Sequence, residues 1–271
     1  MSSEIHYDLY EDLSDNFDIV RYKPETGFER VKNPVVREMS LRIFLNDDEI
    51  IVLQCLKNEV KELALGFLFT ECVINNISSV SDIREINGLH AVRVNTNEKP
   101  RLGNIPTVRS ITTGCGAGVT FIPPAHSAFF APLNTPETLS GKAIPELMKK
   151  LMESSRLAME TGGVHTAALS DGEELIHISD DIGRHNGIDK VIGWDLINKK
   201  FDSPRRVLLT SGRLSSDIVS KSIRGKAQFL ISYSAPTRGA VQLARDFGIT
   251  LVGLVRGESY NIFSHEERIV E

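Results

Sequence analysis

Cysteine is scarce in this chain, with three in 271 residues. Cys55, Cys72 and Cys115 cannot make the disulfide framework of a small secreted protein. No apolar run approaches the roughly 20 residues that a membrane span needs. The opening segment MSSEIHYDLYEDLSDNFD has neither the basic n-region nor the apolar h-region of a secretory signal. Together these absences predict a cytoplasmic protein that makes no use of a membrane. There is no CxxC pair and no HExxH, so a zinc site is not expected. There is no GxSxG, so a serine nucleophile elbow is not expected either. A net charge of −5 argues against a general nucleic-acid binder.

What is present is the composition of a folded protein, 41% hydrophobic and 25% charged, long enough for one large domain or two ordinary ones. Charge is unevenly spread. Met1 to Val20 holds six acidic residues and no Lys or Arg, whereas Pro204 to Arg256 holds nine basic and two acidic residues. Residues 1–16 therefore read as an acidic, flexible tail. The basic C-terminal region suggests a local anionic ligand. FDIVRYK, LRIFLND and EIIVLQC read as strands, with a hairpin turn at Asn46-Asp47-Asp48. Glu59 to Cys72 reads as a helix, and VSDIREI and HAVRV as further strands. Residues 17–135 thus form an expected N-terminal α+β domain. It ends in a proline-rich stretch and includes a cysteine loop at about 109–120.

Residues 136–271 read differently. A helix is predicted over Pro145 to Met159, its methionines read as core filling. HTAALS and ELIHIS, joined at Asp171-Gly172, predict a β-hairpin. Strands RRVLLT, QFLISY and ITLVGLV then alternate with helices near Ile188–Asn198, Ser216–Ile223 and Thr237–Phe247. That pattern predicts a parallel sheet covered on both faces. Ligands of such sheets bind beyond the carboxyl ends of the strands. SGRLSS, SYSAPT and RGES leave those ends, with Arg213, Arg238 and Arg256 in or beside them. An anion site is expected there, helped by helix N-termini.

Two stretches carry candidate chemistry. DDIGRHNGIDKVIG, Asp180 to Gly193, crowds charged residues, His185 and glycines where a loop enters a helix. Its glycines suggest a tight turn or the close approach of another backbone. TTGCGAG places Cys115 between Gly114 and Gly116, with Gly118 beyond, leaving the thiol sterically open. Cys55 and Cys72 sit among apolar residues and are assigned to packing. His177 reads as structural, and His165, in TGGVHTAAL, as a residue that could face a site.

TGGVHTAAL, DDIGRHNGIDKVIG, LLTSGRLSSDIVSK, SYSAPTRGAVQLA and GITLVGLVRGESYNIFSH, in that order, resemble the FdhD family of accessory sulfurtransferases for molybdenum-dependent formate dehydrogenases. The resemblance implies an α/β protein (α+β overall) with a cytidine-deaminase-like three-layer α/β/α larger domain, lacking the deaminase zinc, and a smaller N-terminal α+β domain. It implies a homodimeric sulfur carrier that takes persulfide sulfur from a cysteine desulfurase. The sulfur passes to the molybdenum bis(molybdopterin guanine dinucleotide) cofactor, destined for the formate dehydrogenase apoenzyme. Cys115 matches the family's persulfide cysteine. Leu254, Val255, Arg256, Gly257, Glu258 and Ser259 match its cofactor-binding segment. Many members carry a second cysteine three residues after the first, where this chain has Gly118. That departure keeps open an alternative, a non-catalytic cofactor-binding chaperone.

Overall fold

Alternating apolar residues build the N-terminal part. The computed structural model describes residues 12–86, 88–97, 110–111, 119–120, 131–199 and 203–271. Strands β1 (Ser14–Lys23) and β2 (Gly27–Val36) form a two-stranded antiparallel ribbon. β1 thus begins inside the stretch expected to be tail. Strand β3 (Met39–Leu45) buries Leu41, Ile43 and Leu45 on one face. It pairs with β4 (Asp48–Cys55) across the expected turn. Helix α1 (Val60–Thr70) and strands β5 (Val80–Ile86) and β6 (Ala91–Thr96) complete a sheet of order β4-β3-β6-β5, with α1 on its apolar face.

Strands β7 (Ser110–Ile111) and β8 (Val119–Thr120) pair antiparallel. Next come β9 (Leu139–Ser140), α2 (Ala143–Ser154) and α3 (Arg156–Thr161). The single helix expected over this stretch is instead two. The break is at Ser155, whose backbone is extended. Its hydroxyl accepts from Ala158 N at 2.9 Å, capping α3, and donates to buried Asp180 Oδ2 at 2.6 Å. The chain continues through β10 (His165–Ser170), β11 (Leu175–Asp181), α4 (Arg184–Asn198), β12 (Val207–Thr210), α5 (Ser216–Arg224), β13 (Phe229–Ser232), α6 (Arg238–Phe247), β14 (Thr250–Arg256), β15 (Ser259–Ser264) and β16 (Ile269–Val270).

The large sheet has the order β11-β10-β12-β13-β14-β15. Within it, β12, β13 and β14 run parallel, and antiparallel hairpins close both sides. The expected parallel strands thus form the centre of a mixed sheet, in which the expected β10–β11 hairpin and the β14–β15 hairpin add antiparallel neighbours. The crossover helices α5 and α6 enforce parallel pairing at the centre, while the short turns at Asp171-Gly172 and Gly257 enforce antiparallel pairing outside. Leu208, Leu230 and Leu251 face α4, α5 and α6; Val207, Leu209, Phe229, Ile231 and Val252 face α2 on the other side.

The two sheets meet through α1 and α4. A Cβ at Gly66 would lie 1.9 Å from Asp189 O, and one at Gly193 would lie 1.9 Å from Glu62 O. The helices thus touch backbone to backbone at two reciprocal points. Buried charge brackets the crossing. Lys221 Nζ of α5 reaches Asp189 Oδ2 at 2.9 Å, Glu71 Oε1 at 2.7 Å and Thr70 Oγ1 at 2.9 Å. Lys190 Nζ, fully buried, reaches Asp181 Oδ2 at 2.7 Å and Asn58 Oδ1 at 2.8 Å. Asp181 Oδ2 in turn accepts from Leu56 N. Burial raises the Asp189 carboxyl to about 6 despite Lys221. Burial opposes charge on Lys221 too, yet Asp189 and Glu71 hold its ammonium above the ordinary value.

Gly66→Ala and Gly193→Ala should each cost about 3 kcal/mol by forcing the helices apart. Gly187→Ala, in the same helix α4 but with 3.4 Å to the nearest side chain, should change stability by less than about 1 kcal/mol. Urea unfolding of the three variants checks this; equal losses would refute a backbone-limited crossing.

Candidate functional site

The carboxyl ends of β12, β13 and β14 lie on one edge because the three strands are parallel. Their loops are tied together. Ser234 Oγ donates to Ser211 O at 2.9 Å, and Ser232 Oγ to Gly212 O at 2.7 Å. Leu254 N donates to Ser234 O at 3.1 Å. Thr237 Oγ1 caps α6 by accepting from Ala240 N at 3.3 Å. Several hydroxyls that the sequence offers as ligand groups are therefore engaged in fixing the rim. Arg213, Arg238 and Arg256 stand along it, all three exposed.

The TGGVHTAAL and DDIGRHNGIDKVIG motifs converge at the end of β12. Helix α4 begins at Arg184, earlier than expected, which places His185 and Asn186 in its first turn. Asn186 Nδ2 donates to Asp181 Oδ1 and Gln54 O, both at 2.8 Å. Gly212 makes room for Arg184: a Cβ there would lie 2.7 Å from Arg184 Cβ. His165 Nδ1 lies 3.4 Å from Ser211 Oγ, which also accepts from Thr166 N. His185 Nε2 lies 3.4 Å from Ser215 Oγ and 3.9 Å from Asp217 Oδ2. Burial first, then the charges of Lys221 and Arg184, His165 and Arg213, drives the His185 imidazole down to about 3. Burial and Arg184 lower His165 as well. Both histidines are neutral at pH 7, in a field made positive by fixed cations. Such a field favours anions.

The Leu254–Ser259 segment occupies the β14–β15 hairpin. Leu254 and Gly257 both have positive φ, 58° and 57°, so the strand end is sharply turned. Val255 is buried beneath α2, and Leu254 is half-buried. Arg256, Gly257, Glu258 and Ser259 are exposed. The Arg256 guanidinium stands 5.2 Å from the centroid of the Tyr233 ring. Beside them opens a cleft of about 400 Å³, lined by Tyr233, Val255, Gly257, Glu258 and α2 residues including Met148, Lys149 and Met152. Sequence reasoning singles out neither Tyr233 nor Met152. Met152, expected in the core, is 40% exposed. The signal for Tyr233 is its place in the SYSAPT loop, where the hydroxyls draw attention first.

Cys115 lies outside the described residues. The β7–β8 ladder pairs Ile111 with Val119 and so brings together the two ends of the sequence containing it. Burial, with Asp181 next, pushes the Cys55 thiol up to about 12, and burial raises that of Cys72. Neither is a thiolate at neutral pH. His177 stacks on Trp194 with ring centroids 4.3 Å apart and meets Glu59 Oε1 at 2.6 Å.

A family model described as FdhD/NarQ matches residues 36–270. The chain belongs to the FdhD/NarQ family. A sulfur carrier protein FdhD from Bacillus pumilus is 35% identical over 261 residues, 93% of this chain and 97% of its own. One from Staphylococcus aureus is 35% identical over 266 residues, covering 97% and 99%. One from Saccharolobus solfataricus is 32% identical over 259 residues, covering 93% and 97%. The crystal structure of a formate dehydrogenase accessory protein from Desulfotalea psychrophila aligns with a TM-score of 0.77 at 27% identity, over 95% of this chain and 100% of that one. The mixed α/β architecture is thus shared with that structure.

The site has a pH signature. His185 takes up its proton near 6.5 in the unfolded chain but near 3 when folded, so the unfolded state binds more protons between those values. The His185 contribution is complete above pH 6.5 and is lost as pH falls. From pH 6.5 to pH 5 the loss should be on the order of 2 kcal/mol. His185→Gln should flatten that part of the stability curve in urea titrations; an unchanged slope would place the imidazole in water.

Proposed function

We propose that this chain is a sulfur carrier for formate dehydrogenase maturation, with Cys115 as the carrier. The observation that supports this most is near-complete alignment with curated sulfur carrier proteins of the same family. The carboxylate-free, glycine-flanked setting of Cys115 in TTGCGAG fits a thiol that must be reached by a second protein. A thiolate at Cys115 attacks the terminal sulfur of a persulfide on a cysteine desulfurase. The new S–S bond forms on Cys115 as the donor's S–S bond breaks and the donor leaves as a thiolate. Sulfur exchange of this kind needs one attacking cysteine, so Gly118 does not forbid it. The α/β/α layering is read as the cytidine-deaminase type.

The substrate is the molybdenum bis(molybdopterin guanine dinucleotide) cofactor, on its way to the formate dehydrogenase apoenzyme. The parallel-strand rim suits its pyrophosphates. Arg256, Arg213 and Arg238 supply charge, and neutral His165 and His185 sit within a positive field. The exposed hairpin groups Arg256, Glu258 and Ser259 contact the cofactor with their side chains. Leu254, Val255 and Gly257 serve through the backbone, because Val255 is committed to the core.

Treatment with a desulfurase and cysteine should add one sulfur to the protein, read as intact mass, and Cys115→Ala should abolish the gain. An unmodified wild type removes the carrier role. The alternative prompted by Gly118, a cofactor-binding chaperone, predicts that Cys115→Ala still matures formate dehydrogenase. On the rim, Arg256→Ala should weaken guanine nucleotide binding about tenfold, the worth of one charge-assisted contact. Unaltered affinity in calorimetry would move the ligand elsewhere.

A further inference from the structure

The cleft beside the β14–β15 hairpin has an apolar interior and a charged mouth. Met148, Met152, Val255 and Tyr233 line the interior, and a volume of about 400 Å³ is that of a small-ligand pocket. Tyr233 is 38% exposed, and the Arg256 guanidinium stands over its ring. Met152 adds a polarisable thioether. Flat heteroaromatic rings stack on aromatic side chains of this kind.

The charged groups are Glu146 and Lys149 of α2 and Glu258 of the hairpin. Glu146 and Lys149 are three residues apart, so their side chains are neighbours on one helix face. Neither Glu146 nor Glu258 has a hydrogen bond or ion pair among the described residues. The Lys149 ammonium meets the exposed Glu153 at 4.0 Å, a contact that holds little energy. Two free carboxylates repel phosphate. The phosphates of a nucleotide therefore belong to the arginines of the rim, and the cleft suits the part of it that offers N–H donors. That part is the base. Guanine presents two adjacent donors, N1–H and the 2-amino group, beside an acceptor, O6. One carboxylate accepts both donors as a fork, and an ammonium next to it donates to O6. Adenine sets an acceptor, N1, where guanine has N1–H, and faces the carboxylate with a lone pair.

We propose that this cleft is the guanine subsite, in which Glu146 reads the base, Lys149 donates to O6, and Tyr233 and Met152 are the stacking walls. The proposal rests on the cofactor reading above and deepens it. It assigns base selectivity to α2, outside the Leu254–Ser259 segment.

Calorimetry on the full chain tests it with GDP, inosine diphosphate, ADP and inorganic pyrophosphate. Inosine diphosphate differs from GDP only by lacking the 2-amino group. GDP should bind at least about tenfold tighter than either other nucleotide, the worth of one charge-assisted contact. In Glu146→Gln that gap should close while pyrophosphate affinity is kept. The amide of Glu146→Gln also brings an N–H, so this variant should bind xanthosine diphosphate more tightly than the wild type does, because a 2-oxo group accepts where the 2-amino group donates. A damaged fold would not produce that gain. Equal affinity of the wild type for the three nucleotides, or an undiminished preference for GDP in Glu146→Gln, would overturn the guanine subsite; pyrophosphate binding retained in that case leaves the rim reading standing. A wild type that binds neither pyrophosphate nor any nucleotide would remove both.

Discussion

Backbone contact between α1 and α4 is the constraint on which the rest of the structure depends. Gly66 and Gly193 remove the two Cβ atoms that would hold the helices apart. α4 also covers the large sheet, and α1 covers the small one. One crossing therefore fixes the distance between both sheets. The same helix α4 starts at Arg184 and His185, so the crossing that joins the sheets also sets the depth of the candidate site.

Buried ions surround this contact in an unusual concentration. Lys190 and Lys221 are both nearly inaccessible, and each meets carboxylates and neutral oxygens. Such clusters contribute little net stability relative to apolar packing, but removing one partner leaves an uncompensated charge. Their role here is register. Lys221 links α5 to both α1 and α4, and Asp181 links β11 to the Leu56 backbone. Slippage of either helix by one turn would strand a charge. Lys221 also contributes to the positive field that keeps His185 neutral, so scaffold and site share a group.

Much of the architecture is legible in the sequence because it rests on local pattern. The HTAALS–ELIHIS hairpin, α1, and the three strand–helix units of the large sheet follow from periodicity and turn residues. β2 is not legible, because Pro34 and four charged or amide residues, Glu29, Arg30, Lys32 and Asn33, hide its alternation. β15 is not legible either, since SYNIFS is too short and mixed to declare a strand. The break at Ser155 depends on Asp180, far along the chain. The mixed strand order escapes the pattern because hairpin edges add antiparallel neighbours that a βα alternation does not announce.

The sequence by itself determined the family, the candidate thiol at Cys115 and the arginine-bearing loops, because each is carried by contiguous residues. Only the tertiary structure decided that His165 and His185 share one positive field as neutral groups, that Val255 belongs to the core while Arg256 lies over Tyr233, and that Gly66 and Gly193 are points of helix contact. Those outcomes depend on burial and on distances between residues far apart in the chain, which no local pattern encodes.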